Sequence, residues 1–213
     1  MSTRGLPRGR NALPLEEVAR LQRERLTRAM AEVLTEKGYA ATSVEDVLKR
    51  SGVSRLTFYK LFSSKADCFI AALDRANEIL RTRVAQAVAE FGEGGDALRR
   101  TEYALDAYFR MLEEELPFAR VCLVEIYAAG PVAVAHRSAM HEEMAALNAQ
   151  VLGVTDAQGL RTCRMLVSTM ITQAGAPIAE NDIEGLRAIR PDLMAFLHDL
   201  WNAGLFGKGT GPS

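Results

Sequence analysis

Arg55, Thr57, Tyr59 and Lys60 fall within one short stretch of this chain, and their side chains are of the types that read and hold nucleic acid. Arginine can bridge N7 and O6 of guanine, threonine can touch a thymine methyl, and tyrosine and lysine can hold phosphates. To act together they must share the outward face of a rigid element. Residues 43–62 offer one: two helices joined by a tight turn at Ser51-Gly52-Val53. Ser43-Val44-Glu45-Asp46 is a capping-box type start and Ser54 suits an N-cap. Val47, Leu48, Val53, Phe58 and Phe62 are free to bury against a preceding helix. This is helix-turn-helix geometry, in which the second helix enters the major groove. A helical hairpin with solvated charges would carry the same residues, and turn geometry alone leaves both readings open.

Other reactive side chains find no comparable setting. His136 and His141 are five apart, with no third ligand evident, so a metal site is disfavoured. Glu113-Glu114-Glu115 reads as a solvated charge run, and Cys122 as a core cysteine rather than a redox sensor. There is no Ser/His/Asp set, Gly-rich phosphate loop or paired carboxylate in a convincing context. No catalytic residue and no cofactor are therefore expected. The three cysteines, Cys68, Cys122 and Cys163, are odd in number and far apart, which fits a reducing cytoplasm. No stretch is apolar enough for a membrane span, since Met165 to Ala179 is short and contains Ser168, Thr169, Thr172, Gln173 and Pro177.

Charge points the same way as the motif. The 213 residues carry a net charge of −1, but residues 1–65 hold 13 basic and 7 acidic side chains (+6) and the remainder 13 and 20 (−7). A polyanion partner is thus expected for the first part only.

The elements that must position these groups read as helix after helix. Leu26, Ala29, Met30, Val33 and Leu34 follow a one-sided helical spacing, and Gly38 stops that helix. After residues 43–62, Ser64-Lys65-Ala66-Asp67 caps a long helix to about Glu90, broken at Gly92–Gly95. Further helices are expected at about 96–116, from Pro117, from Pro131 to Leu152, at 157–175 and at 191–204, with Gly175 and Pro177 ending one and Pro191 opening another. No alternating run is long enough for a strand. The class is all-α: a basic, flexible arm over 1–14, a DNA-binding unit over 15–80 and a larger bundle over 81–213.

Gly38-Tyr39-Ala40-Ala41-Thr42-Ser43-Val44, then Ser51 to Phe62, then Ser64-Lys65 resemble the DNA-binding domain of the TetR family. The resemblance covers about residues 20–80. It implies a dimeric, usually repressing transcription factor that leaves its double-stranded operator when a small molecule binds. It further implies that Thr42 and Ser43 meet backbone phosphates, that Arg55 and Thr57 face bases, and that Tyr59, Lys60 and Lys65 meet phosphates. Arg8 and Arg10, in a Gly/Pro context that cannot pack, are expected to follow DNA into a minor groove, although a disordered solubilising tail would carry the same residues.

The bundle is rich in adaptable apolar groups. Phe109, Phe118, Cys122, Tyr127, Met140, Met144 and Met170 are candidates to line a pocket for an apolar effector. Leu166 and Met170 in one apolar stripe, and Phe196, Leu197, Leu200 and Trp201 in another, are candidates for a homodimer interface of four helices. The competing reading is a helical ligand-binding or enzymatic module whose helix-turn-helix is vestigial.

Overall fold

The computed structural model describes residues 14–92 and 96–207. Arg8 and Arg10 lie outside the described residues, as does most of the Gly92–Gly95 break. Among the described residues the chain is all-α, without a strand. The helices are α1 (Leu15–Ala41), α2 (Val44–Ser51), α3 (Arg55–Leu61), α4 (Lys65–Phe91), α5 (Ala97–Glu114) and α6 (Leu116–Arg120). A single π-helical turn, Val121–Glu125, follows α6, and α7 (Pro131–Leu152), α8 (Ala157–Glu180) and α9 (Ile183–Asn202) complete the bundle.

The caps expected from sequence are present. Ser43 Oγ accepts from the Asp46 N–H at 3.2 Å while the Asp46 carboxylate accepts from the Ser43 N–H at 2.8 Å, so two otherwise unpaired donors are satisfied reciprocally. Ser54 and Ser64 cap α3 and α4 through Thr57 N–H and Asp67 N–H, each at 3.1 Å. Gly38 interrupts α1 with φ 73°, and only its last turn continues to Ala41.

Two helix ends differ from expectation. α8 runs through Gly175 and Pro177 to Glu180, and α9 begins at Ile183 with Pro191 in its interior. A proline inside a helix forfeits one backbone hydrogen bond and crowds the preceding turn, about 3 kcal/mol. Burial offsets this here. Ala174 and Ile178 flank Pro177, Leu186 and Leu193 flank Pro191, and all four are buried in the bundle core. Arg120 also donates to the late carbonyls of α8, Ile178 O at 3.2 Å and Ala179 O at 2.8 Å.

The apolar faces close into two large cores, with Ala145, Val167 and Ile171 forming a third, small cluster. The first gathers Leu26, Met30 and Leu34 of α1, Val47 and Leu48 of α2, Phe58 of α3, and Phe69 and Leu73 of α4. It also takes in Phe118, Val121 and Ile126, from well beyond residue 80. The second gathers α5, α8 and α9 with Leu80 of α4. α4 therefore belongs to both. Near the start of α8, Gly159 lets the chain's C-terminal segment pack closely: a Cβ there would stand 2.3 Å from the Phe206 carbonyl oxygen and 2.4 Å from Val154 Cγ1. Gly159→Ala is expected to cost about 1–3 kcal/mol by denaturant unfolding, because a backbone oxygen cannot swing aside as a side chain would.

Candidate nucleic-acid interface and effector cavity

The turn of the helix-turn-helix is built from its own residues. Gly52 adopts φ 66°, a left-handed conformation cheapest for glycine, and closes α2 through its N–H to Leu48 O at 2.9 Å. Ser51 Oγ accepts from the Val53 N–H at 3.2 Å, and Arg25 of α1 donates to Ser51 O at 2.6 Å. With Val53, Phe58 and Phe62 buried beneath it, α3 can present only one face.

That face is exposed and carries Arg55, Leu56, Tyr59 and Lys60, with Thr57 half-buried at its edge. Thr57 Oγ1 lies 2.9 Å from Ser54 Oγ. Arg55 pairs with Glu45 of α2, both well exposed, so the pair is worth little and the guanidinium exchanges it cheaply for a nucleic-acid acceptor. Leu56, 69 % exposed, escapes a sequence reading that assigns leucine to the core. The signal is its helical phase, one turn before Tyr59 and Lys60 and opposite Phe58 and Phe62. A bare leucine there offers apolar contact of the kind a thymine methyl takes.

Thr42, Ser43 and Lys65 are placed differently. Thr42 is buried, its hydroxyl donating to Gly38 O at 2.7 Å and its N–H to Tyr39 O at 3.3 Å. Ser43 is exposed, with its N–H and hydroxyl both engaged by Asp46. Lys65 Nζ donates to Tyr39 O and Thr42 O, each at 2.9 Å, and stands 4.1 Å from the Tyr39 ring centre. Thr42 and Lys65 thus brace the segment entering α2, because a turn that breaks from helical geometry leaves carbonyls needing donors. Asp46 is held well below the usual carboxylate range, first by Lys37 and then by Ser43.

The same turn is tied to the bundle. Tyr39 N–H donates to Glu125 Oε2 at 2.8 Å, and Arg120 Nη2 reaches Glu125 Oε1 at 3.4 Å. Arg28 of α1 pairs with Glu115 at 2.7 Å and lies over the Phe118 ring at 4.7 Å. Glu113 and Glu114 pair with Arg187 and Arg83, at 2.9 and 3.2 Å. Glu113–Glu115 is therefore three separate ties between elements, not a solvated run.

In the bundle, a cavity of about 400 Å³ opens between α4, α5, α7 and α8. Its lining is mostly apolar, including Leu80, Val84, Val88, Leu105, Met144 and Met170, with Asn77, Asn148 and the Arg81–Glu143 pair (3.7 Å) as polar groups. A second chamber of about 40 Å³ shares Asn77, Leu80, Tyr108 and Met144 with it, and adds Phe118, Cys122, Met140, Arg137 and His141. Of the pocket residues expected from sequence, Met144 and Met170 line the large cavity, and Phe118, Cys122, Met140 and Met144 the small one. Tyr127 lines a surface cleft that shares Leu123, Arg137, His141 and Ile171 with the small chamber. Phe109 lines none of these three spaces: it is buried in the core, edge-on to Tyr108. The α4 wall was missed because that helix reads as a connector, although Leu80, Val84 and Val88 recur every four residues.

Burial pushes the Cys122 thiol up to about 12, which keeps it protonated and a poor nucleophile. Burial, and next the Arg137 charge, bring His141 down to about 4. His136 pairs with Asp74 at 2.6 Å, and no cluster of His, Cys, Asp or Glu suited to a metal occurs among the described residues. No helix there is long and apolar enough to cross a membrane.

The residues expected at a dimer interface are divided. Leu166, Met170, Leu197 and Trp201 are buried within their own subunit, where α5, α8 and α9 leave no other place for them. Phe196, 37 % exposed, and half-buried Leu200 remain at the α9 surface. Phe196 borders a groove with Thr169, Gln173, Ile189 and Asp192, and Met165 on α8, an apolar residue of the type expected in the core, is 70 % exposed.

Residues 26–72 match the family model described as bacterial regulatory proteins, tetR family. Over 121 residues the chain is 31% identical to the HTH-type transcriptional activator FasR of Mycolicibacterium smegmatis, covering 57% of this chain and 52% of that protein. Over 125 residues it is 36% identical to the transcriptional regulator AcuR of Cereibacter sphaeroides, covering 57% and 51%. The chain thus spans about half the length of the curated relatives it matches. Its fold resembles that of the transcriptional regulator FadR from Bacillus subtilis in complex with stearoyl-CoA, with TM-score 0.68, 18% identity, and coverage of 82% of this chain and 96% of that one.

Proposed function

We propose that the chain is a TetR-family, sequence-specific DNA-binding regulator, a homodimeric repressor released from its operator by a small apolar effector. The observation that carries this reading is the exposed α3 face of Arg55, Leu56, Tyr59 and Lys60, held by a built cap and turn. In this reading residues 15–80 read DNA, 81–213 bind effector and form the dimer, and Arg8 and Arg10 extend contact into a minor groove. Arg55 and Thr57 meet bases, Tyr59 and Lys60 meet phosphates, and Ser43 approaches the backbone at the start of α2. Stearoyl-CoA in the Bacillus subtilis regulator supports an apolar effector for a cavity lined as this one is. α4 links the two functions, since it begins beneath the helix-turn-helix and contributes Leu80, Val84 and Val88 to the cavity wall. Occupancy that favours one position of α4 shifts the fraction of DNA-competent protein only by its difference in affinity for the two states.

Fluorescence anisotropy against DNA flanking the protein's own gene tests this directly. Tight, salt-dependent and sequence-selective binding is expected. Arg55→Ala should cost about 1–3 kcal/mol and relax selectivity at one position, while Lys60→Ala should weaken all sequences alike and reduce the salt slope by about 1. No selective binding to any such fragment would sink the reading.

A further inference from the structure

Resting on the effector reading above, we propose that the ligand is a monocarboxylate with an apolar tail: its carboxylate sits in the small chamber against Arg137, Tyr108 and His141, and its tail fills the large cavity. The fold buries polar atoms at these walls without partners. Tyr108 is 4 % exposed, lines both spaces, and its hydroxyl has no hydrogen-bond partner. A hydroxyl buried in that state costs free energy that a bound acceptor would recover. Arg137 Nε is likewise buried and unpartnered.

Charge makes the same demand. Arg137 donates through Nη2 to Tyr127 OH at 2.8 Å and lies 4.7 Å from that ring's centre, but it has no carboxylate partner among the described residues. No Asp or Glu lines the small chamber, and its remaining wall is apolar apart from Asn77, Cys122 and His141. A half-buried guanidinium on the wall shared by this chamber and the surface cleft of Tyr127 is an anion receptor, and its planar fork suits a carboxylate. His141, neutral near pH 7, adds a ring N–H without a competing charge.

Size sets the rest. About 40 Å³ accepts a group of a few heavy atoms, such as a carboxylate, and not a nucleotide. The shared wall of Leu80, Tyr108 and Met144 leads to about 400 Å³ of mostly apolar space, where a chain of methylenes replaces water at no polar cost. Head and tail are thus sorted by the chamber walls.

Calorimetric titration of the full-length protein with dodecanoate, dodecanol and dodecanoyl-CoA tests the assignment. Dodecanoate should bind at least about tenfold more tightly than dodecanol. Arg137→Gln should abolish that preference while leaving dodecanol within about twofold. Tyr108→Phe serves as the variant safe for folding, because it removes only an unpartnered hydroxyl. It should melt no lower than the parent, yet weaken dodecanoate about fivefold. Dodecanol binding as tightly as dodecanoate, or an acid preference that survives both variants, overturns the carboxylate site and leaves the apolar cavity reading standing. Dodecanoyl-CoA binding more tightly than the free acid, unaffected by the variants, overturns it in favour of a thioester. Binding of none of the three overturns it together with the effector reading on which it rests.

Discussion

Glu125→Ala is expected to destabilise the folded chain by about 3–5 kcal/mol, one of the largest losses available from a single substitution outside the apolar core. Glu125 is 6 % exposed, and its carboxylate joins three parts of the molecule. One oxygen takes the Tyr39 N–H beside the α1 break, the other takes Arg120, and Arg120 also holds the end of α8. Alanine would leave a largely buried guanidinium uncompensated and a backbone donor without its acceptor, and each is costly in a medium that screens poorly. Glu125→Gln keeps an acceptor for Tyr39 and should cost less. Urea unfolding followed by circular dichroism measures both. An alanine variant within about 1 kcal/mol of the parent would show that solvent reaches this junction and screens it as at a surface pair. Because the carboxylate also fixes Tyr39, whose carbonyl receives Lys65, the alanine variant should respond less to effector in DNA-release assays wherever it folds.

Phe196→Asp is expected to convert a dimer to monomers and to remove operator binding with it. In the proposed regulator each α3 would read only a few base pairs, so tight binding would call for two copies spaced about 34–36 Å apart, or a multiple, on one face of DNA. The α8–α9 surface offers what a second copy would cover: Phe196, Leu200 and the projecting Met165. A carboxylate placed among them and desolvated costs several kcal/mol, enough to raise the dimer dissociation constant on the order of 100-fold or more. Sedimentation of the variant against the parent measures it. Met170→Asp would not serve, because Met170 lies inside its own subunit and the change would unfold the bundle first. A parent protein that sediments as a monomer at micromolar concentration would end the proposal.

The helix-turn-helix was largely legible because local chemistry determines it. Ser43, Gly52, Ser54 and Ser64 act on backbone groups a few residues away, so their spacing alone locates α2, α3 and the start of α4. The two prolines misled for the opposite reason. Pro177 and Pro191 locally favour a helix end or start, and only burial of residues on either side carries α8 and α9 through them. The ties to the bundle were illegible. Glu125 meets Tyr39 across 86 positions and Glu115 meets Arg28 across 87, and no periodicity reports a pair so distant. The pocket was half visible: methionines advertised adaptable space, but Arg137 and Tyr108 acquire their significance only from partners they lack.

The π-helical turn at Val121–Glu125 gives the chain a place where its length can change by one without changing its phase. Such a turn is an α-helix carrying one surplus residue, which its wider winding absorbs locally. Removal of one of these five residues lets the segment relax to the commoner form, with Phe118 before it and Ile126 after it still turned toward the core they share. In a plain α-helix each residue advances the side chains by about 100°, so the same deletion within α7 would turn everything after it by that angle. Only Cys122, Leu123 and Glu125, inside the turn, would have to find their places on the chamber wall and beside Tyr39 again. Descendants of this sequence can therefore shed a residue here at less cost than anywhere along α7.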